Sequence, residues 1–71
     1  MRYFRLLDKE HEGIIVKAEG RLQYEFDPSA GWVRSGILSD YFCDWDPLYD
    51  MYEEISEEEA LRITEQQFHK N

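Results

Sequence analysis

The sequence predicts an α+β fold: an antiparallel meander of three to four strands with a short middle helix and a C-terminal helix packed on one face. Two observations carry this prediction. Apolar residues in the first half alternate with a period near two, which is typical of strands. In the second half the period lengthens, and Ser56 followed by Glu59 forms a capping box that marks the start of a helix. With 71 residues, the chain is one small domain, 1–71, with a thin core.

The predicted strands follow one another closely in the first half. A short apolar run at residues 2–7 precedes a polar loop. Residues 13–18 and 22–26 have the composition of two strands, and Trp32-Val33-Arg34 is a short further strand. The segment at residues 27–31, which contains Pro28, breaks the meander.

The pairing of the two middle strands is predicted from the burial of one face. We expect three cross-strand pairs: Ala18 with Leu22, Val16 with Tyr24, and Ile14 with Phe26. They place six apolar residues together and leave Ile15 on the other face. The competing register, with a two-residue Glu19-Gly20 turn, sets Val16 opposite Gln23. Because a slip of one residue turns every side chain over, core burial favours the first register.

Helical spacing appears after the fourth predicted strand. Five apolar residues fall on one helical face, which predicts a short helix over residues 36–43: Ile37, Leu38, Tyr41, Phe42 and Trp45. Asp46-Pro47 then forms a turn, since the residue before proline avoids helical geometry. Residues 48–55 are expected to form a last strand.

The C-terminal helix is predicted from Glu57 to about His69. Its apolar face contains Ala60, Leu61, Ile63, Thr64 and Phe68. Glu57 and Glu58 place negative charge where the helix dipole is positive, and Glu58 with Arg62 is a favourable pair one turn apart. The pattern indicates an amphipathic helix packed on a sheet.

Charge and cysteine content exclude several classes of partner. Sixteen acidic and eight basic residues give a net charge of −8, which argues against direct binding to DNA, RNA or an anionic membrane. The single Cys43 cannot form an internal disulfide, which favours a reducing compartment. No apolar leader segment follows Met1, and no run reaches the length of a membrane span. We therefore expect a soluble, cytoplasmic protein.

An acidic stretch rich in aromatic residues is the strongest candidate for function. We expect a partner-binding surface formed by six residues of this stretch: Tyr41, Trp45, Asp46, Tyr49, Asp50 and Tyr52. Aromatic side chains dominate binding hot spots, and carboxylates give electrostatic complementarity to a basic partner. The alternative interpretation is structural: the aromatic residues form the core and the acids solvate a loop and a helix start.

Motifs for catalysis or metal binding are missing from the sequence. Asp44-x-Asp46 lacks the oxygen ligand, glycine and glutamate that a calcium loop requires at later positions. His11 and His69 have no partner at zinc-ligand spacing, and His11 is interpreted as a solvated loop histidine. Cys43 is interpreted as a small buried hydrophobe. We therefore expect neither enzymatic activity nor a cofactor.

The second half resembles a class of small uncharacterised bacterial proteins. The resemblance is carried by Gly31-Trp32-Val33, Ile37-Leu38, Asp40-Tyr41-Phe42 and the segment at residues 52–60. It covers the last 40 residues or so and implies a bacterial or phage origin, but it implies no particular activity.

The functional prediction is a small cytosolic interaction module that binds another protein or itself as a homodimer. The alternative is an acidic inhibitor of a basic nucleic-acid-binding protein, that is, a nucleic-acid mimic or immunity-type protein.

Overall fold

A five-stranded sheet and one C-terminal helix make up the fold. The computed structural model describes residues 1–69, apart from the side chains of Asp40 and His69. The strands are β1 (Arg2–Leu6), β2 (Ile15–Glu19), β3 (Leu22–Asp27), β4 (Gly31–Arg34) and β5 (Tyr52–Ile55), and the helix is Glu57–His69.

The strand order is β4-β3-β2-β1-β5, and every neighbouring pair is antiparallel. The first four strands form the predicted meander. β5 then returns across the sheet to pair with β1, which becomes an interior strand. The α+β class is confirmed. The strand count is five instead of three to four, and the last strand starts at Tyr52 instead of residue 48.

The predicted register of β2 and β3 is wrong, and so is its competitor. The observed pairs include Glu19 with Leu22 and Lys17 with Tyr24, so the turn consists of Gly20 and Arg21. Gly20 has a φ of 59°, the left-handed conformation favoured at the first central position of a type II′ hairpin turn. Val16 pairs with Glu25 and therefore lies on the opposite face from Tyr24.

The register prediction fails because both faces of the sheet are buried. On one face, Phe4, Leu6 and Val16 pack beneath the segment between β4 and β5. On the other face, the sheet packs against the helix; this core contains Tyr3, Ile15, Phe26 and Ala60. Ile15, apolar on the face assumed to be polar, is fully buried. The strands of a sheet that is covered on both faces do not alternate between apolar and polar residues, and the register prediction relied on this alternation.

The predicted helix over residues 36–43 is not present as such. The structure has a single helical turn, Leu38–Tyr41, whose first and last residues are fully buried against the sheet. The chain then passes through successive turns, in which the Asp46 carboxylate accepts the Leu48 amide at 2.8 Å. Local side-chain bonds of this kind compete with helix continuation.

The C-terminal helix is confirmed with its predicted start and end. Ser56 Oγ accepts the Glu59 amide at 3.1 Å, which is the N-cap half of the predicted capping box. The buried face of the helix is narrower than expected, since Leu61 and Phe68 are about half exposed. Arg62 lies 3.8 Å from Glu59 instead of pairing with Glu58. Within residues 1–69, no helix is long and apolar enough to span a membrane.

A glycine exchange tests the hairpin geometry. We expect Gly20→Ala to lower the free energy of unfolding by about 1–2 kcal/mol, because a side chain disfavours the left-handed backbone. A Cβ at this position meets no atom within 4 Å, so the effect is purely conformational. The matched control is Gly36→Ala, which also meets no atom within 4 Å and lies outside the left-handed region. Urea denaturation of both variants checks the prediction, and equal stabilities would contradict it.

Candidate functional site

The loop at residues 42–51 carries the most exposed aromatic side chain of the described residues. Trp45 is 86% exposed. Three further apolar side chains of the same loop are also exposed: Phe42, Tyr49 and Met51. Exposed apolar side chains on one loop are a common feature of interaction sites.

Hydrogen bonds fix this loop at both ends. The Asp50 amide donates to the Tyr41 carbonyl at 3.1 Å, and the Leu7 amide donates to the Met51 carbonyl at 2.9 Å. Asp50 has a φ of 65°, a left-handed conformation that aspartate tolerates better than most residues. Leu48 points inward and packs against the core. These contacts fix the loop against the rest of the fold, and Trp45 faces the solvent.

The structure divides the six residues predicted as a binding surface into three groups. Trp45, Asp46, Tyr49 and Asp50 all lie on the 42–51 loop. Tyr52 is half-buried, and its ring packs edge-on against Phe4 and Phe42 at centroid distances of 5.6 and 5.1 Å. Tyr41 is fully buried in the core beneath the loop.

Tyr41 belongs to a hydrogen-bonded cluster that the sequence pattern did not predict. Its hydroxyl donates to Asp8 Oδ1. His11 Nδ1 lies 2.7 Å from Asp8 Oδ2 and 3.1 Å from the Tyr41 hydroxyl oxygen. His11 is thus a member of this cluster instead of the solvated loop histidine that was expected. The Asp8-x-x-His11 spacing is a local signal for the contact between Asp8 and His11. Nothing in the sequence indicates that Tyr41, 33 residues from Asp8, bonds to the same carboxylate.

The electrostatics of the cluster centre on Asp8, which is only 5% exposed. Burial disfavours the charged carboxylate and acts to raise the pKa of Asp8. Hydrogen bonds from Tyr41 and His11 act in the opposite direction and prevail, so the pKa lies below its ordinary value. Asp8 is therefore ionised at neutral pH. The cluster links the β1–β2 loop to the helical turn that supports the 42–51 loop.

Charge is distributed unevenly along the chain. Nine of the sixteen acidic residues and none of the eight lysines and arginines lie between residues 35 and 61. Arginines from β1 pair with two of these acids: Arg2 with Glu54, and Arg5 with Glu53. The hydrogen bond from Arg2 lowers the pKa of Glu54.

Carboxylates of the 42–51 loop lack a positively charged partner among the described residues. Among the described residues, no cation forms an ion pair with Asp44 or Asp50. We call five residues the acidic aromatic surface: Phe42, Asp44, Trp45, Tyr49 and Asp50.

Comparison with family models, curated proteins and solved structures finds no match in any of the three. The resemblance to small bacterial proteins therefore stays a prediction. Within the part of the chain that the structure describes, no three histidine, cysteine or carboxylate side chains gather as a metal site.

Proposed function

We propose that the protein is a small interaction module that binds a basic partner protein through the acidic aromatic surface. The observation that supports this most strongly is Trp45, which is 86% exposed on a loop held by hydrogen bonds. Tryptophan is the residue type most enriched among binding hot spots. A fixed loop also presents it with little ordering cost on binding.

Charge complementarity selects the kind of partner. The carboxylates of Asp44 and Asp50 flank or neighbour the exposed aromatic residues and have no ion-pair partner among residues 1–69. A partner with an apolar slot surrounded by lysines and arginines would bury Trp45 and pair with these acids. Self-association through the same surface would place carboxylates against carboxylates, which is unfavourable. The proposed partner is therefore a different, cationic protein.

Segregation of the charge also supports the second candidate function, an acidic inhibitor of a nucleic-acid-binding protein. In this case the acidic residues between 35 and 61 would occupy the groove of the partner that normally holds phosphates. Binding would weaken steeply with salt and would compete with DNA or RNA for the partner. A partner that binds the protein and nucleic acid simultaneously would favour the simpler interaction module.

Truncation of Trp45 tests the proposed surface. We expect Trp45→Ala to weaken partner binding by about 30-fold or more, which corresponds to the 2 kcal/mol of a hot spot. Its free energy of unfolding should stay within about 0.5 kcal/mol of the wild type, because the side chain contributes little to the core. The measurement is affinity capture with immobilised wild type and variant, followed by titration calorimetry with the purified partner.

The matched control is Leu22→Ala, which removes an exposed apolar side chain from the hairpin end of the sheet. It should capture the same partner as the wild type. Equal capture by all three proteins would contradict the proposal. Failure of the wild type to capture any basic protein would contradict it as well.

A further inference from the structure

Among the described residues, two of the five arginines have no carboxylate partner, although the protein has twice as many acidic as basic residues. Arg2, Arg5 and Arg62 each form an ion pair. Within residues 1–69, Arg21 and Arg34 form none, and both line the same open cleft. This cleft lies at the β4 side of the sheet, whereas β5 forms the other edge.

Antiparallel pairing explains why both arginines line the same cleft. Arg21 lies in the β2–β3 turn, and Arg34 ends β4, which runs back along β3 toward that turn. The chain then continues through Ser35 and Gly36 into the helical turn, so this end of the sheet is closed by a polar segment. The remaining lining residues are small or polar: Gln23, Ser35, Gly36 and Ser39.

Two polar groups of the cleft, one acceptor and one donor, have unused hydrogen-bonding positions. The side-chain oxygen Oε1 of Gln23 is buried and has no hydrogen-bond partner among the described residues. Ser35 Oγ accepts the Ile37 amide at 3.2 Å, which leaves the hydroxyl proton of Ser35 free to donate. A buried acceptor without a partner is uncommon in folded proteins and calls for an explanation.

We propose that this cleft binds a phosphate monoester that carries a hydroxyl group close to its phosphate. Guanidinium groups donate paired hydrogen bonds that match phosphate oxygens, and the serine hydroxyls add further donors. On binding, the Gln23 side chain turns so that its buried Oε1 faces the cleft and accepts a hydrogen bond from the hydroxyl of the ligand. The site is independent of the acidic aromatic surface, so either proposal can fail alone.

An NMR titration at constant ionic strength tests the site, with ribose 5-phosphate and methyl phosphate as probes. Both should cause saturable shifts in the Gln23, Ser35, Gly36 and Ser39 amides and in the Arg21 and Arg34 side-chain Nε–H signals. Ribose 5-phosphate should bind more tightly, because methyl phosphate has no hydroxyl for Gln23. Gln23→Ala should abolish that preference while it leaves methyl phosphate binding in place.

Variants at the arginines complete the experiment. Arg21→Gln and Arg34→Gln should each weaken both probes by about tenfold, the effect of one charge-assisted hydrogen bond. Arg62→Gln, which removes an exposed arginine on the helix, should leave both affinities unchanged. All three positions are solvent-exposed, and the dispersion of the amide spectrum verifies the fold. Shifts that never saturate, that spread over the whole protein, or that weaken equally in Arg62→Gln would overturn the proposal.

Discussion

Phe4→Ala is expected to lower the free energy of unfolding by about 3–5 kcal/mol, the usual cost of removing a buried phenylalanine. Domains of this size have total stabilities of about 4–10 kcal/mol. The variant should therefore lose most of its stability, and part of the population should be unfolded at 37 °C.

The position of Phe4 explains the size of this effect. It is 1% exposed, in the interior strand β1. Its ring meets Phe42 and Tyr52 edge-on at 5.9 and 5.6 Å, and these two residues lie at the start and just past the end of the 42–51 loop. The loss of Phe4 would thus remove the support of the acidic aromatic surface as well as part of the core.

Urea denaturation, followed by circular dichroism, measures the effect. The control is Phe68→Ala, the same exchange at a helix position that is 54% exposed and touches the ring of Phe26. It should cost less than about 1 kcal/mol, as expected for a largely exposed side chain. Comparable losses in the two variants would show that Phe4 contributes no more to the core than a largely exposed phenylalanine does.

The parts of this fold that could be predicted are those determined by residues close together in the sequence. The C-terminal helix was located correctly because Ser56 and the acids after it act within one helical turn. The β2–β3 register was not, because it depends on which faces of the sheet are covered. The helix covers one face through Ala60, and the segment at residues 35–51 covers the other through Leu38 and Tyr41. Both of these covering segments are distant in sequence from β1 and β2, which they bury.

The location of the candidate surface in the sequence could be predicted, but the exposure of its residues could not. Composition alone marked the acidic aromatic stretch, but it could not distinguish the exposed Trp45 from the buried Tyr41. That difference is set by long-range partners: the hydroxyl of Tyr41 bonds to Asp8, which is 33 residues away along the chain. The charge of a loop is a local property, whereas the direction of its aromatic side chains is decided by the whole fold.

Tyr41→Phe is expected to cost about 1.5–3 kcal/mol, the usual contribution of a hydrogen bond to a charged group. The ring still fills its buried position, but Asp8 loses the donor to Oδ1 while it stays 5% exposed. Tyr49→Phe is the matched control, because Tyr49 lies half exposed on the loop surface. It should change the free energy of unfolding by less than about 0.5 kcal/mol.

The pH dependence distinguishes this bond from simple packing. Since the folded state lowers the pKa of Asp8, its ionised form stabilises the fold above the unfolded pKa of about 4, and this contribution is lost as the pH falls through the folded pKa. Tyr41→Phe removes a bond that lowers this pKa, so the wild type should lose more stability on acidification than the variant does. Free energies of unfolding measured between about pH 2 and pH 7 should therefore converge at the acidic end. A gap of constant size at every pH would mean that Tyr41 stabilises the fold without acting on the charge of Asp8.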